Sequence, residues 1–390
     1  MFVALLRQWR KCLLGRLGTV GYGVFRSRMN DLVDTILFFP MLGYFFLYLF
    51  LCHPGGTGFI GSHTVVELLN AGYDVVIADN LCNSKIEVID RIQKITNKRP
   101  AFYKLDLLDS AALEKVFAEN RIDAVIHFAG LKSVAESVAD PGRYLDTNLT
   151  STFHLLNAME KHQVYKLVFS SSATVYGTPE TMPNRESDVV GKVCCPYGFS
   201  KYLNELLLHD FARQRDKFRF ASLRYFNPVG AHPSGLIGED CGQKAPNNLA
   251  PYITRTLLGQ FPYLSVYGDQ YDTVDGTGVR DYIHVVDLAK GHLAALNYLE
   301  KTDSKYDVFN LGTGKGTSVL QLVSAFEEAS GRKVPYRIVG PRPGDVPLSF
   351  AAVEKAKNIL GWTAEYDYKD CARDSWNWQV QNPNGYTEEG

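Results

Sequence analysis

An α/β fold built on a doubly wound parallel sheet is predicted by three features of this 390-residue chain. From about residue 45, short β-rich runs alternate with helix-compatible stretches. Most of the runs are largely apolar, as strands buried on both faces of a parallel sheet must be. A glycine loop, Gly55-Gly56-Thr57-Gly58-Phe59-Ile60-Gly61, follows the first run and opens a helical pattern.

The elements follow in order. FLYLFLC (46–52) reads as the first strand, and a helix over 59–71 is ended by Gly72. DVVIAD (74–79), AFYKLDL (101–107), DAVIHFAG (123–130) and KLVFSSSA (166–173) read as further strands separated by polar helical stretches. A helix over 198–214 precedes FRFASLRYF (218–226). Beyond residue 226 the chain is richer in Pro, Gly and Asn, with helices near 248–259, 286–300 and 318–330. DYIHVVDLA (281–289) reads as a short return to the sheet. The expected division is an atypical extension over 1–44, a dinucleotide-binding domain over 45–226 with a return near 281–300, and a smaller α/β substrate domain over 227–390.

Composition narrows the class. Apolar content of 46% and charged content of 21% are those of a globular protein, and a net charge of −1 gives no electrostatic case for nucleic acid. The seven cysteines form no Cys-x-x-Cys pair, which points to free thiols in a reducing, cytoplasmic setting. The nine histidines lack metal-site spacing, so no metal is expected. The first 30 residues carry Arg7, Arg10, Lys11, Arg16, Arg26 and Arg28 with no acid, and Leu6, Trp9, Leu13 and Leu17 recur at helical spacing. ILFFPMLGYFFLYLFLC (36–52) then runs 17 positions without a charge, interrupted by Pro40 and Gly43. A membrane anchor, a cleaved transit segment and an atypical leader on a soluble protein all remain open for residues 1–52. The downstream motifs require 46–52 to be a strand, and membrane contact is not expected.

The loop carries the first chemistry. Its glycines turn tightly and bring backbone close to a pyrophosphate seated on the helix N-terminus. Asp79 closes the second strand 18 residues after Gly61. A carboxylate there accepts from both ribose hydroxyls and repels a 2′-phosphate, favouring NAD over NADP. Pro54, just before the loop, cannot donate to a ladder.

Tyr197 and Lys201 lie four apart and share a helix face, where a cation favours phenolate over phenol. Among 22 tyrosines about one such match is expected by chance. The serine run Ser170-Ser171-Ser172, at the C-terminal end of a strand, adds a hydroxyl that can hold a proton between substrate and base.

These stretches, with SSSATVYG, PYGFSK, HFAGLKSVAESV, LRYFNPVGAHPSG, PNNLAPYI and DGTGVRDYIHVVDLA, closely resemble the UDP-glucose 4-epimerases over roughly 55–387. That family is an extended branch of the short-chain dehydrogenase/reductases, with a Rossmann-like domain. The resemblance implies that bound NAD stores a hydride transiently while Tyr197 takes the proton of the sugar 4-hydroxyl. The 4-keto sugar then turns over, and UDP-glucose and UDP-galactose interconvert. Lys201 would tune Tyr197, and Ser172 would bridge sugar and base.

For NAD the resemblance points to Gly55, Gly58, Phe59, Ile60 and Gly61, then Asp79, Asn80, Leu81, Cys82, Asn83 and Ser84. Asp106 and Leu107 follow, with Phe128, Ala129, Gly130, Leu131, Lys132, Thr147 and Phe226. For the UDP-sugar it points to Asn227, Asn248, Leu249, Tyr267, Arg280, Arg342, Asp345 and Ser349. Two arginines suit a diphosphate, and Tyr267 can stack on uracil. A homodimer is expected, as in many relatives.

Three positions depart from the family pattern. Thr147 stands where many relatives have Asn, and Pro54 where threonine is usual. Ser349 is small where some relatives have tyrosine, which implies that UDP-GlcNAc and UDP-GalNAc are also accepted. A 4,6-dehydratase would share NAD, Tyr197 and Lys201 but needs an acidic pair, and Ser171 to Thr174 contain no carboxylate. A non-catalytic NAD-binding protein is the other alternative, and it would follow from a defective first strand.

Overall fold

The computed structural model describes residues 56–128, 130–178, 181–242, 246, 248–342 and 345–387, together with the backbone of 48–52. The extension over 1–44, Pro54, Gly55 and Ala129 lie outside the described residues.

Seven parallel strands form the main sheet: β1 (Tyr48–Cys52), β2 (Asp74–Asp79), β3 (Ala101–Lys104), β4 (Ala124–His127), β5 (Lys166–Ser172), β6 (Arg219–Tyr225) and β11 (Tyr306–Leu311). Their order is β11-β6-β5-β4-β1-β2-β3. The order reverses between β1 and β4, and ligands of open α/β sheets bind outside the strand C-termini at such a point. The glycine loop, Asp79, Phe128 and Ser172 all follow or end strands on that edge.

Helices cover both faces. On one lie α1 (Phe59–Asn70), α2 (Glu87–Thr96) and α8 (Val285–Leu299); on the other lie α3 (Ser110–Glu119), α5 (Pro141–Lys161) and α6 (Pro196–Arg213). The strand β2 shows why its sequence is uniformly apolar: Ile77 packs under α1 and α2, while its neighbour Val76 packs under α3 and α5. Local chemistry fixes the helix starts. Asp109 caps α3 through the N–H groups of Ala111 and Ala112, and Asp140 caps α5, whose first residue is proline.

The remainder is made of shorter pieces: β7 (Asn227–Val229), α7 (Leu249–Leu257), β8 (Leu264–Tyr267), β9 (Val279–Arg280), β10 (Tyr282–His284), β12 (Thr317–Ser318), α9 (Val319–Ser330), β13 (Tyr336–Val339), β14 (Leu348–Ser349) and α10 (Tyr368–Gln381). They form sheets of two or three strands. A short helix α4 (Val134–Ala139) precedes α5.

The structure corrects one sequence expectation. Within 281–289 only Tyr282–His284 is extended, and it pairs with β7 in a separate sheet. The His284 side chain accepts from the N–H of Val286 and starts a helix there, so the apolar run is one buried helical turn rather than a strand. The seventh strand is Tyr306–Leu311, which sequence reading passed over because Asp307 and Asn310 interrupt its apolar run. The strands expected over 101–107 and 123–130 leave the ladder at Lys104 and His127, where the chain turns out to form the ligand edge.

One glycine holds the turn behind Ser172. Gly177 ends the 3₁₀ turn Ala173–Tyr176 with φ +63°, and a Cβ there would lie 1.9 Å from the Lys192 carbonyl oxygen. Gly177→Ala is expected to cost about 1–3 kcal/mol of stability in denaturant unfolding. Gly142→Ala, a helical site with open space around it, should be neutral or slightly stabilising.

Candidate active site

The nucleotide end of the site begins at α1. Its N-cap Gly58 has extended backbone and no side-chain cap, and its first turn holds no acidic residue. The first-turn N–H groups at Phe59, Ile60 and Gly61 therefore lack a side-chain acceptor, and their dipole favours an anion. A Cβ at Gly56 would lie 2.3 Å from Ile77 Cγ2, so only glycine lets the loop lie this close to β2.

Asp79 is fully buried at the end of β2 and is the hub of this region. Its Oδ2 accepts from Thr57 N (3.2 Å) and Thr57 Oγ1 (2.6 Å), and its Oδ1 accepts from Leu81 N (2.8 Å) and Ser84 Oγ (3.1 Å). Thr57 Oγ1 also lies 2.7 Å from Ser84 Oγ. The carboxylate thus ties the 80–84 loop to the glycine loop. Along that loop Asn80 Nδ2 donates to Asp106 (2.8 Å), Cys82 N donates to Asn80 Oδ1, and Asn83 is exposed. Leu107 is buried with its carbonyl 3.0 Å from His154 Nδ1.

Beyond β4, Phe128 packs on His292 with ring centroids 4.8 Å apart. Gly130 has φ +151°, and a Cβ there would crowd Asn148 Oδ1 at 3.1 Å. Asn148 clasps the next residue from both sides, accepting from Leu131 N (2.7 Å) and donating to Leu131 O (3.1 Å). Its amide also donates to Ser200 Oγ on α6 (2.9 Å). Sequence reading chose the half-buried Thr147 and missed Asn148, whose signal was an amide next to it inside the helix. Lys132 is exposed and pairs with Glu239 at 3.6 Å. Phe226 is buried just after β6.

The second group sits where α6 crosses the end of β5. Cys195 caps α6 by accepting from Gly198 N, and Tyr197 and Lys201 follow on one face. Lys201 Nζ is buried, donates to Ser170 O (2.7 Å) and lies 5.0 Å from the Phe169 ring. Burial pulls this ammonium down to about 8, while the charge of Glu205 opposes the fall. Ser172 Oγ accepts from Thr174 N (3.2 Å) and Thr174 Oγ1 (3.0 Å). Burial pushes the Tyr197 phenol up to about 12, and the nearby Ser172 hydroxyl opposes the rise. The cation expected to govern Tyr197 thus faces the Ser170 carbonyl, and burial sets the phenol.

The third group lies on the small sheets. The Arg342 guanidinium sits 3.9 Å over the Tyr267 ring at the end of β8. Arg280 lies 3.6 Å from Asp345 and pairs in register with Ser349 across β9 and β14. Asn227 N donates to Asp281 O (3.0 Å). Asn248 precedes α7, which Leu249 opens, and donates to Glu239 (2.6 Å). Sequence reading missed Asp281, whose buried carboxylate accepts from Thr313, Gly314 and Ala351 at 2.7–3.2 Å and so fixes the strand behind Arg280. Its only signal was an acid inside an apolar run. Among the described residues no cluster of three or more His, Cys, Asp or Glu could hold a metal ion.

Sheet order, glycine loop and a Tyr-Lys pair beside a serine strand define a short-chain dehydrogenase/reductase. Comparison with known proteins agrees: a family model described as NAD dependent epimerase/dehydratase matches residues 54–312. The UDP-glucose 4-epimerase of Bacillus subtilis is 54% identical over 332 residues, which cover 85% of this chain and 97% of that protein. Its Drosophila melanogaster counterpart is 50% identical, with coverage of 85% and 97%. The crystal structure of the Bifidobacterium longum UDP-glucose 4-epimerase in complex with NAD+ and UDP superposes with a TM-score of 0.83 at 50% identity, covering 87% of this chain and all of the other. That of Stenotrophomonas maltophila, with bound NAD and formylated UDP-arabinopyranose, gives 0.84 at 46% identity, with coverage of 86% and 99%. The chain belongs to the UDP-glucose 4-epimerase family.

Proposed function

We infer that this chain interconverts UDP-glucose and UDP-galactose by reversible oxidation at C4 of the sugar, with NAD as resident cofactor. The observation that carries this reading is the meeting of Tyr197, Ser172 and Lys201 at the C-terminal end of β5, in a chain 54% identical to a UDP-glucose 4-epimerase.

The residues present fit NAD. The uncapped start of α1 and the glycine cradle at Gly56 suit a pyrophosphate, and Asp79 suits ribose hydroxyls. Gly58 to Gly61, Asp79 to Ser84, Asp106, Leu107, Phe128, Gly130 to Lys132, Thr147 and Phe226 would hold it. When bound, NAD supplies a reversible hydride acceptor and, in its oxidised form, a positive charge.

Tyr197 takes the proton of the 4-hydroxyl and later returns it. A phenol held near 12 by burial stays protonated near neutral pH, and positive charge in its surroundings favours the phenolate that acts as base. Ser172, close to Tyr197, would orient the hydroxyl on the phenolate. Lys201, fixed on Ser170 O, supplies a cation one helical turn away. Arg280 and Arg342 suit the diphosphate, Tyr267 the uracil, and Asn227, Asn248, Leu249 and Asp345 the remaining polar and packing contacts. Tyr197→Phe should lower kcat by about 10²–10⁴ while NAD content and the unfolding midpoint stay near the parent's.

Ser349, small and opposite Arg280 in the ladder, favours a roomy sugar pocket. Turnover of UDP-GlcNAc and UDP-GalNAc is therefore expected, and Ser349→Tyr should abolish it while sparing the glucose pair. Failure of the parent enzyme on the acetamido pair would remove this reading.

We assign 45–226, with its return near 281–300, to NAD and 227–390 mainly to the UDP-sugar. Exposed Val134 and Val138 on α4, Phe153 on α5, and Phe199 and Leu206 on α6 support a homodimer through these neighbouring helices. Sedimentation should give twice the chain mass, and Phe153→Glu should give the monomer. Five unbridged cysteines among the described residues fit a reducing compartment, and we place the protein in the cytoplasm. Among the described residues no helix is long and apolar enough to cross a membrane.

A further inference from the structure

Beneath the catalytic residues lies a charged pair that the reaction itself does not use. Glu205 and Arg224 are both buried, at 4% and 3% exposure. The guanidinium grips the carboxylate in a fork: Arg224 Nη2 donates to Oε2 (2.7 Å) and Nε to Oε1 (3.0 Å). Ser171 Oγ donates to the same Oε1 at 2.5 Å. Arg224 Nη1 donates to Tyr176 Oη (3.0 Å), which donates to Asn310 on β11 (2.7 Å).

The placement of this pair matters more than its strength. Glu205 lies one helical turn beyond Lys201 and two beyond Tyr197 on the same face of α6. Ser171 stands between Ser170, whose carbonyl receives Lys201, and Ser172, which meets Tyr197. One carboxylate therefore ties the catalytic helix to the serine strand, to β6, and through Tyr176 to the turn after Ser172. A buried ion pair is often no more stabilising than apolar residues of the same volume. Stability alone therefore gives little reason for one here, directly behind the active site.

We propose that Glu205 is a positioning residue for the reaction: held by Arg224 and Ser171, it fixes α6 over the serine strand and supplies a buried negative charge one helical turn from Lys201. This rests on Tyr197 being the base.

The surroundings of Glu205 are mixed. Arg224 comes from β6, Tyr176 from the 3₁₀ turn, Tyr306 from β11 and Glu186 from the segment before α6. Lys201 and His209 come from α6 itself, and the neighbouring Asn148 of α5 is neutral. The charge of Glu205 offsets part of the effect of burial on Lys201, which already lies at about 8. Without that charge the ammonium loses its proton at lower pH, and the cation one helical turn from Tyr197 is lost with it.

The test is the pH profile of kcat with UDP-galactose, measured on holoenzyme whose NAD content and unfolding midpoint are recorded. Glu205→Gln and the paired variant Glu205→Leu/Arg224→Met, which leaves no charge unpaired, should both move the alkaline limb down by about one pH unit. Glu205→Asp, keeping the charge, should hold the limb near the parent's position at reduced kcat. Profiles that superimpose on the parent's in folded, NAD-containing Glu205→Gln or paired variant would overturn the proposal. Tyr197→Phe run alongside separates the readings: if it keeps parental turnover, the assignment of the base fails, whatever the Glu205 variants do.

Discussion

The hydrogen bond from Lys201 Nζ to the carbonyl of Ser170 is the constraint on which the site depends. A buried ammonium without a partner is prohibitively costly, so the lysine must reach an acceptor. The acceptor is the end of a central strand, and reaching it fixes the rotation of α6. That rotation brings Tyr197 to Ser172. The aromatic face of Phe169 completes the lysine's surroundings on the strand side. Moving the helix by a fraction of a turn would break the lysine's bond and carry Tyr197 away from Ser172 together.

The same strand ends answer a second need. Reversal of strand order between β1 and β4 leaves a crevice on this edge. The glycine loop leans on β2, and Asp79 locks it to the following loop through four hydrogen bonds to neighbouring groups. A carboxylate so surrounded by donors is held in one orientation, which suits a ribose. The residues proposed for nucleotide recognition and for proton transfer thus stand on strands of one sheet rather than on separate parts.

Much of this was legible in the sequence because parallel strands are apolar on both sides and end in short, chemically distinctive loops. The run DVVIAD is a strand from end to end, and Tyr197 and Lys201 do lie one turn apart on a helix. What escaped were features that depend on partners distant in the chain. Tyr306–Leu311 carries Asp307 and Asn310, which look wrong for a strand until it is seen at the sheet edge with Tyr298 and Tyr176 bonding them. The pairing of Arg342 with Tyr267, and the position of Asp281 behind Arg280, are properties of the small sheets alone. Lys201 was expected to act directly on Tyr197, because spacing along a helix says nothing about a strand carbonyl waiting beneath it.

The chemistry proposed for this arrangement is specific: Tyr197 would handle an O–H proton, while the hydrogen on carbon would move as hydride and stay with the enzyme. The most direct measurement is conversion of UDP-glucose carrying deuterium at C4, in ordinary water, with the product read by mass spectrometry. The account predicts UDP-galactose that keeps its deuterium at C4. Loss of the label to solvent would contradict it, because the C4 hydrogen would then have left as a proton.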